Sequence, residues 1–357
     1  MAEAEPVFWR SSGRLADGRE IIYFNESPGT GRAQVRDERE LAAADGREGA
    51  DGREGADGGL RWDPLAGEWV MYAAQRQERP YRLPGPDCPL CPSRPDHLTE
   101  IPAPGYDVVV FQNRYPALVA PGRCEVVCFT SEHEASFATL SERRARTVFE
   151  AWADRSRELG SRPGVEHVYC FENRGEEIGV TLHHPHGQVY AFPFLPPRTA
   201  HLAERVRAHR ARSGGNLFEE VVRAELDDGR RIVAGNEHWV AFVPQFARWP
   251  FEIMLFPRAR VTSLAAVGEA ARDAFGPVYL DLLRRLDALF GVPMPYIAAW
   301  QQAPAEPEFG LHLHVMGMRR ASAKLKYQAG TETGAGAWSN DVLPEDAARM
   351  LTEAAGA

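Results

Sequence analysis

Between residues 182 and 190 the chain reads Leu182-His183-His184-Pro185-His186-Gly187-Gln188-Val189-Tyr190. Alternate residues of an extended segment share one face, so we expect His184, His186 and Gln188 to point the same way. Pro185 lacks a backbone N–H and favours extended backbone, which suits the end of an edge strand and not a helix. The stretch therefore predicts a strand with a row of polar nitrogens on one face.

Two imidazoles on one short, rigid segment indicate two separate roles. One ring can act as a nucleophile or proton carrier, because imidazole titrates near neutrality with a reference pKa of about 6.5. The other can be a metal ligand, held in place by coordination. The alternative is that these histidines form a satisfied polar core or a surface cluster.

The composition is that of a soluble globular protein with one large domain or two. The chain has 357 residues, of which 44% are hydrophobic, and a net charge of -9. Its apolar runs, such as residues 107–111, have the length of strands, and none approaches the roughly 20 residues that span a bilayer. We therefore expect no membrane partner. The negative charge argues against nucleic acid as a partner, although a few local arginines can still bind a phosphate.

The start of the chain and the cysteines both favour a cytoplasmic location. Residues 1–6 lack the basic and apolar regions of a signal peptide. The five cysteines are an odd number, and two of them form a CxxC, which does not resemble a disulfide framework.

An N-terminal appendage is predicted for residues 1–60. Within it, residues 19–24 have the pattern of a short strand. Residues 45–59 form a tandem six-residue repeat of glycine, alanine and charged residues, which predicts a disordered loop. A compact domain would begin near Arg61.

Two parts of the remaining chain share one order of elements. The first part has a strand at 126–129, a helix from about Leu140 to Leu159, a strand at 168–171 and the His184-Pro185-His186 stretch. The second part has a strand at 253–256, a helix from about Ala266 to Phe290, a strand at 296–299 and the stretch His312-Leu313-His314. Phe129 precedes His186 by 57 residues and Phe256 precedes His314 by 58, so we infer an internal duplication.

The fold class that follows is α+β. Each half contains several strands and one long helix, which predicts two antiparallel sheet halves with flanking helices. The halves would span residues 61–195 and 196–357.

A proline-rich turn places Cys88 and Cys91 at the usual spacing for half of a tetrahedral zinc site. Two more ligands are needed, and the candidates are His97, His133 and His184. A redox CxxC would need a helix directly after the first cysteine, which the two prolines of the turn disfavour. The other three cysteines lie in strand-like contexts and are expected in the core.

Three segments together resemble the galactose-1-phosphate uridylyltransferase family of the histidine-triad superfamily. They are Phe171-Glu172-Asn173-Arg174-Gly175, Gly179-Val180-Thr181 and His184-Pro185-His186-Gly187-Gln188. The similarity extends from about Arg61 to about Glu332. Hydrolases of this superfamily carry a third histidine where this chain has Gln188. The resemblance implies an internally duplicated histidine-triad-like fold whose first half, residues 61–195, is catalytic.

The activity that this resemblance implies is a ping-pong transfer of UMP between UDP-glucose and galactose 1-phosphate, a step of galactose metabolism. His186 would be the nucleophile, forming a covalent uridylyl-histidine. Gln188 would hydrogen-bond the phosphoryl oxygens. A glutamine is neither a general acid nor a general base, so water would not be activated against the intermediate.

The substrates implied are UDP-sugars and hexose 1-phosphates. Residues that match the family's substrate contacts are Arg76, Arg79, Asn113, Arg114, Asn173, Gly179, Val180, Thr181, Gln188, Lys326, Tyr327, Thr331 and Glu332. The family often has an acidic residue at the place of Arg114. Arg76 and Arg79, like the loop that begins at Lys326, match residues that reach the neighbouring subunit's substrate. A homodimer with shared active sites is therefore implied, with Lys326 suited to a phosphate and Glu332 to sugar hydroxyls.

The resemblance implies one complete metal site and one incomplete site. By the same matching, Cys88, Cys91, His133 and His184 would bind a structural zinc ion. Some members also bind iron through three histidines and a glutamate in the second half. This chain has His312 and His314 there, with Gln301 at the place of the third histidine and Leu202 near that of the glutamate. Two ligands make a weak site, so this second metal is expected to be absent.

Two other functions fit parts of the same pattern. One is nucleotidyl transfer on an adenosine substrate, as in a dinucleoside polyphosphate phosphorylase or an adenylyl-sulfate transferase. The other is a catalytically silent, zinc-stabilised nucleotide-binding protein.

Overall fold

The structure, a computed structural model, describes residues 8–28, 37, 58–74, 76 and 87–355. Within these ranges the helices are α1 (Glu142–Gly160), α2 (Pro197–Ser213), α3 (Leu217–Asp228), α4 (Glu269–Asp273), α5 (Phe275–Ala288), α6 (Gly330–Ala335) and α7 (Pro344–Glu353). None of them combines the length and apolar character needed to cross a bilayer. Most of the glycine-rich repeat, residues 45–57, lies outside the described residues, as does Arg79.

The strands are mostly short. They are β1 (Trp9–Arg14), β2 (Glu20–Asn25), β3 (Gly58–Asp63), β4 (Glu68–Ala73), β5 (Val108–Gln112), β6 (Arg123–Cys128), β7 (His167–Arg174), β8 (His186–Phe192), β9 (Ile232–Gly235), β10 (Trp239–Phe242), β11 (Phe251–Pro257), β12 (Tyr296–Gln301), β13 (His312–Gly317), β14 (Arg319–Ala321) and β15 (Lys324–Leu325). The last two residues of the predicted disordered repeat, Gly58 and Gly59, begin β3.

The chain divides into two compact units. Unit 1 contains residues 1–136, 147–168 and 181–197, and unit 2 contains residues 137–146, 169–180 and 198–357. The domain boundaries expected after residues 60 and 195 stay predictions.

Unit 1 is built on antiparallel strands in the order β1-β2-β5-β6-β8. The strand predicted at residues 19–24 is β2, which pairs directly with β5. Most of α1 belongs to this unit, and the Trp152 ring packs edge-on against Phe129 with the centroids 5.8 Å apart. Arg155 on α1 and Glu125 on β6 are both buried and form a two-bond ion pair, with Nε–Oε2 at 2.7 Å and Nη2–Oε1 at 3.0 Å. This pair anchors α1 to the strand next to β8.

Unit 2 contains antiparallel strands in the order β7-β12-β13-β11-β10-β9. Arg174 at the end of β7 donates from Nη1 to both carboxylate oxygens of Asp287 on α5, at 2.7 and 2.8 Å. Antiparallel strands with flanking helices in both units confirm the predicted α+β class.

The single helix predicted from Ala266 to Phe290 is wrong. The structure has α4 and α5 there, which meet at Ala274. Pro277 has no N–H to donate to the carbonyl four residues earlier, and its ring crowds that carbonyl, so one continuous helix is disfavoured. The helix predicted from Leu140 to Leu159 is confirmed as α1.

Candidate functional site

Strand β8 carries both predicted catalytic side chains, His186 and Gln188. In the pairing with β6, His186 lies opposite Cys128 and Gln188 opposite Val126. Both side chains are half-buried, whereas the intervening Gly187 is buried. Because they are two residues apart in one strand, His186 and Gln188 share a face, as predicted.

The expectation that His184 lies on the same face of this strand is wrong. His184 lies in a bend before β8 and is 1% exposed. Pro185 cannot donate to a strand ladder, so the regular pairing begins only at His186. The Pro185 carbonyl accepts instead from the N–H of Phe129, at 3.1 Å.

The His184 ring belongs to a cluster of two thiols and two imidazoles. Cys88, Cys91, His133 and His184 each offer one ligand atom, and these atoms lie within 4.8 Å of one another. Cys91 Sγ is 3.5 Å from His133 Nδ1 and 3.6 Å from His184 Nδ1. The other candidate, His97, pairs instead with Arg94 in an isolated β-bridge. Two sulfur and two nitrogen donors match a tetrahedral structural zinc site.

Outer contacts determine which nitrogen of His184 faces the cluster. His184 Nε2 lies 2.8 Å from the Thr130 carbonyl oxygen and 2.7 Å from the Tyr106 hydroxyl. A carbonyl only accepts, so Nε2 carries the proton and Nδ1 has the free lone pair. Tyr106 in turn donates to the Leu90 carbonyl at 2.7 Å, within the cysteine turn. Such outer contacts hold metal-binding imidazoles in one tautomer and orientation.

Burial sets the protonation of the cluster. It lowers the pKa of His184 to about 4, so the ring is neutral at physiological pH, which is the form that binds metals. Burial also raises the pKa of the Cys88 thiol to about 12. A bound cation would favour the thiolate by offsetting that desolvation.

The backbone of His184 orients His186. His186 Nδ1 lies 2.8 Å from the His184 carbonyl oxygen, so Nδ1 must donate. The lone pair of the neutral ring is then on Nε2. The residue that completes the cysteine–histidine cluster therefore also fixes the tautomer of the candidate nucleophile.

Of the other predicted contacts in unit 1, Asn113 and Arg114 directly follow β5. Asn113 donates its N–H to the Cys124 carbonyl at 2.9 Å, and its Oδ1 accepts from the N–H of Tyr115 at 2.8 Å. Arg114 Nη1 is 3.3 Å from Glu100 Oε1. Arg76 Nε is buried without an acceptor among the described residues. Thr181 is half-buried.

In unit 2, the predicted nucleotide contacts lie at the end of β7 and in the turn after it. Asn173 is paired with Ile297 of β12. Gly179 has φ +84°, a conformation that favours glycine, and donates its N–H to Glu176. The N–H of Val180 lies 3.4 Å from the Gly175 carbonyl.

The predicted sugar-contact loop is held by an internal ion pair. Lys326 Nζ lies 2.7 Å from Glu332 Oε1. Hydrogen bonds from Lys326 and from the N–H groups of Ser339 and Ala329 lower the pKa of Glu332 to about 2. Tyr327 and Thr331 are exposed. The Glu332 carboxylate therefore already accepts hydrogen bonds from Lys326, Ala329 and Ser339.

His312 and His314 form hydrogen bonds with a backbone carbonyl and a carboxylate. His314 Nε2 is 2.7 Å from Glu252 Oε1, and both side chains are buried. His312 Nδ1 donates to the Gly310 carbonyl at 2.9 Å, and its ring stacks on Phe256 at 4.7 Å. Among the described residues, neither histidine joins a cluster of three metal-type donors.

Sequence reasoning missed Glu252. The signal was present, since an acidic residue interrupts the apolar strand β11, where a buried carboxylate needs a partner. Gln301, which stands at the place of a third histidine, pairs with His312 across β12 and β13.

Family models cover both parts of the chain. The model of the N-terminal domain of galactose-1-phosphate uridyl transferase matches residues 119–196, and that of the C-terminal domain matches residues 203–355.

Relatives of similar length match most of the chain. A galactose-1-phosphate uridylyltransferase from Streptomyces lividans is 47% identical, covering 97% of this chain and 98% of the relative. One of the same name from Thermotoga maritima is 35% identical over 82% of this chain and 98% of its own length. A solved uridylyltransferase structure superposes with a TM-score of 0.73 at 29% identity, covering 83% of this chain and 97% of that one. An ADP-glucose phosphorylase from Arabidopsis thaliana, at 21% identity and a TM-score of 0.66, shares the fold.

The buried ring of His312 predicts a pH-dependent stability. Burial lowers its pKa from 6.5 to about 3, so between these values the unfolded chain binds a proton that the folded chain does not. The free energy of unfolding should then fall as the pH drops from 6.5 towards 3, with this residue contributing at most about 1.4 kcal/mol per pH unit. Urea denaturation at several pH values across this range gives the free energy of unfolding at each pH. That free energy should depend less steeply on pH in His312→Gln than in wild type. The exposed His183, changed to Gln, is the control, and equal slopes for wild type and His312→Gln would refute the assignment.

Proposed function

Because the chain belongs to the galactose-1-phosphate uridylyltransferase family, we propose that it exchanges UMP between UDP-glucose and galactose 1-phosphate through a uridylyl-histidine. The observation that carries the proposal is the hydrogen bond between His186 Nδ1 and the His184 carbonyl, which leaves Nε2 with its lone pair. Glucose 1-phosphate and UDP-galactose are the products.

Each half of the reaction exchanges one bond at phosphorus. In the first, His186 Nε2 attacks the α-phosphorus of UDP-glucose, a P–N bond forms, the P–O bond to glucose 1-phosphate breaks, and glucose 1-phosphate leaves. In the second, a phosphate oxygen of galactose 1-phosphate attacks the same phosphorus and the P–N bond breaks. The imidazole ring gains positive charge while it carries UMP, and the bond from Nδ1–H to the His184 carbonyl stabilises that charge.

Gln188 would steady the phosphoryl group without activating water. Its amide N–H groups can donate to phosphoryl oxygens, and its position on the same face of β8 as His186 supports this role. An amide does not exchange protons near neutrality, so a water molecule near the intermediate gains no general base from it.

The proposed substrate contacts are the residues that match the family's substrate-binding positions. We propose that Asn173, Gly179, Val180 and Thr181 bind the nucleotide and its phosphates, with contributions from Asn113 and Arg114. Lys326, Tyr327, Thr331 and Glu332 would contact the hexose 1-phosphate, and Arg76 and Arg79 would reach a partner subunit's substrate.

Cys88, Cys91, His133 and His184 would hold one structural zinc ion. The ion would hold His184 and thereby the carbonyl to which His186 donates. Zinc thiolates need reduced cysteines, which fits the expected cytoplasmic location.

A second copy of the chain is the partner that fits the hairpin of β3 and β4. This hairpin exposes Trp62, Trp69, Met71 and Tyr72, an apolar surface of the kind that marks an interaction site. The same hairpin leads directly to Arg76. We infer that it contributes to a homodimer in which arginines from one subunit enter the active site of the other.

Intact-protein mass spectrometry tests the nucleophile. After mixing with UDP-glucose, the wild-type chain should gain one uridylyl group, which galactose 1-phosphate removes. His186→Gly should gain none and should lose at least about 10³-fold in transfer rate, because no other group takes the covalent role. The neighbouring exposed His183→Gly is the matched control and should behave as wild type. An adduct on His186→Gly would refute this nucleophile, and an adduct formed only from ADP-glucose would point to adenosine substrates.

Metal analysis tests the zinc site. The purified protein should contain about one zinc per chain, and Cys91→Ser should lose it and lower the melting temperature by about 5 °C, because metal binding contributes to folding. Cys124→Ser replaces a buried cysteine outside the cluster and should keep the metal. Zinc-free wild-type protein with unchanged stability would contradict the assignment.

Sedimentation velocity tests the dimer. Wild type should sediment as a dimer, and the double variant Trp62→Ser, Trp69→Ser should shift towards monomer, because loss of two aromatic side chains removes central interface contacts. Leu343→Ser, at another exposed apolar position, should remain dimeric. A wild-type monomer at micromolar concentration would exclude the shared active site.

A further inference from the structure

Trp338 packs on the turn that precedes β11. Its ring meets Trp249 edge-on, with centroids 5.5 Å apart and planes at 61°. The Arg248 guanidinium carbon lies 5.7 Å from the Trp338 ring centroid. Aromatic edge contacts and cation–π contacts of this kind are attractive. Trp338 is therefore fixed although the residues on both sides of it are exposed.

Asn340 fixes the backbone of the same segment. Its Nδ2 donates to the carbonyl of Ala247 at 3.1 Å and to that of Trp249 at 3.0 Å. Its Oδ1 accepts from the N–H of Val342 at 3.1 Å. Residues 338–340 are thus held to residues 247–249 by the Trp338 ring and by the Asn340 side-chain amide.

The turn at residues 247–249 is itself held from within unit 2. Glu252 Oε2 accepts the N–H of Arg248 at 2.6 Å and that of Trp249 at 3.0 Å, while Oε1 meets His314 Nε2 at 2.7 Å. Both the carboxylate and the imidazole are about 2% exposed. A buried carboxylate with hydrogen-bond partners on both oxygens is a rigid support. His314 thus supports the surface on which Trp338 lies.

Ser339 connects this support to the loop at residues 326–332. Its N–H donates to Glu332 Oε1 at 3.0 Å, and its carbonyl accepts from Lys326 Nζ at 2.8 Å. The ammonium group is thus oriented by one carboxylate and one carbonyl. Ala337 also donates its N–H to the Thr331 carbonyl, at 3.0 Å.

We propose that residues 338–340, the tail clamp, position the Lys326–Glu332 loop for the hexose 1-phosphate part of the substrates. This rests on the proposed function, in which that loop contacts the sugar phosphate. A loop already ordered before binding loses less conformational entropy on binding, so the clamp strengthens hexose phosphate binding without touching the substrate. The residues of the clamp are positioning residues, and Trp338 is its main anchor.

The decisive measurement separates the sugar phosphate from the nucleotide. In the full-length enzyme, Trp338→Ala and Asn340→Ala should lower kcat/KM for galactose 1-phosphate and for UDP-glucose about three- to tenfold, the loss expected for one aromatic or amide anchor. The inhibition constant of UMP, which lacks the sugar, should change less than about twofold. Trp338→Phe keeps an aromatic edge and should recover most of the activity. Leu343→Ala, at a nearby exposed position, should match wild type.

Hydrogen exchange tests the clamp without substrate. In Trp338→Ala, the amides of Ala329, Ser339 and their neighbours should exchange faster than in wild type, while β13 should be unchanged. Unchanged exchange together with unchanged kcat/KM would overturn the clamp, and so would a weaker UMP affinity equal to the loss in kcat/KM. A wild-type protein without transferase activity would refute the proposed function. The hydrogen-exchange rates would still decide whether the clamp orders the loop.

Discussion

The geometry of the site depends on the way in which His184 is held. Its ring nitrogen Nε2 donates to Thr130, which turns Nδ1 towards Cys91, and its carbonyl accepts from His186. One residue thus joins the metal-type cluster to the strand of His186, the proposed nucleophile. A displacement of this ring would move the carbonyl and release the His186 tautomer. Because the carbonyl belongs to the backbone, a substitution of the His184 side chain alters the orientation of the His186 ring only through that displacement.

The two units use a paired-histidine strand for different purposes. In unit 1 the flanking thiols make a cluster with the donors that zinc prefers. In unit 2 the imidazole of His314 faces a carboxylate, Glu252, and the pair satisfies two backbone N–H groups of the next turn. Such a buried pair is costly to desolvate unless its hydrogen bonds are complete, and here both carboxylate oxygens have donors. The second strand therefore supports a surface turn, whereas the first carries the proposed nucleophile.

The errors in the sequence-based predictions have local physical causes. Alternation along a strand assigned His184 to the face of His186, but Pro185 interrupts the ladder and lets the His184 ring turn into the interior. Helical periodicity across residues 266–290 concealed the break at Ala274, because one proline in an apolar helix does not disturb the pattern of apolar positions. Glu252 was missed because a single acidic residue in a strand does not reveal its partner.

The sequence by itself determined the α+β class, the family, half of the metal-type donor set in Cys88 and Cys91, and the shared face of His186 and Gln188, because these depend on residue type and on spacing along one chain. Spacing left three histidines as further ligands, and the structure brings His133 and His184 to the two thiols. Only the tertiary structure decided which nitrogen of the His184 and His186 rings carries the proton, since that depends on carbonyls such as that of Thr130, 54 residues away from His184 in sequence. It alone also joined Trp338 to Trp249, because no periodicity links two residues that far apart in the chain.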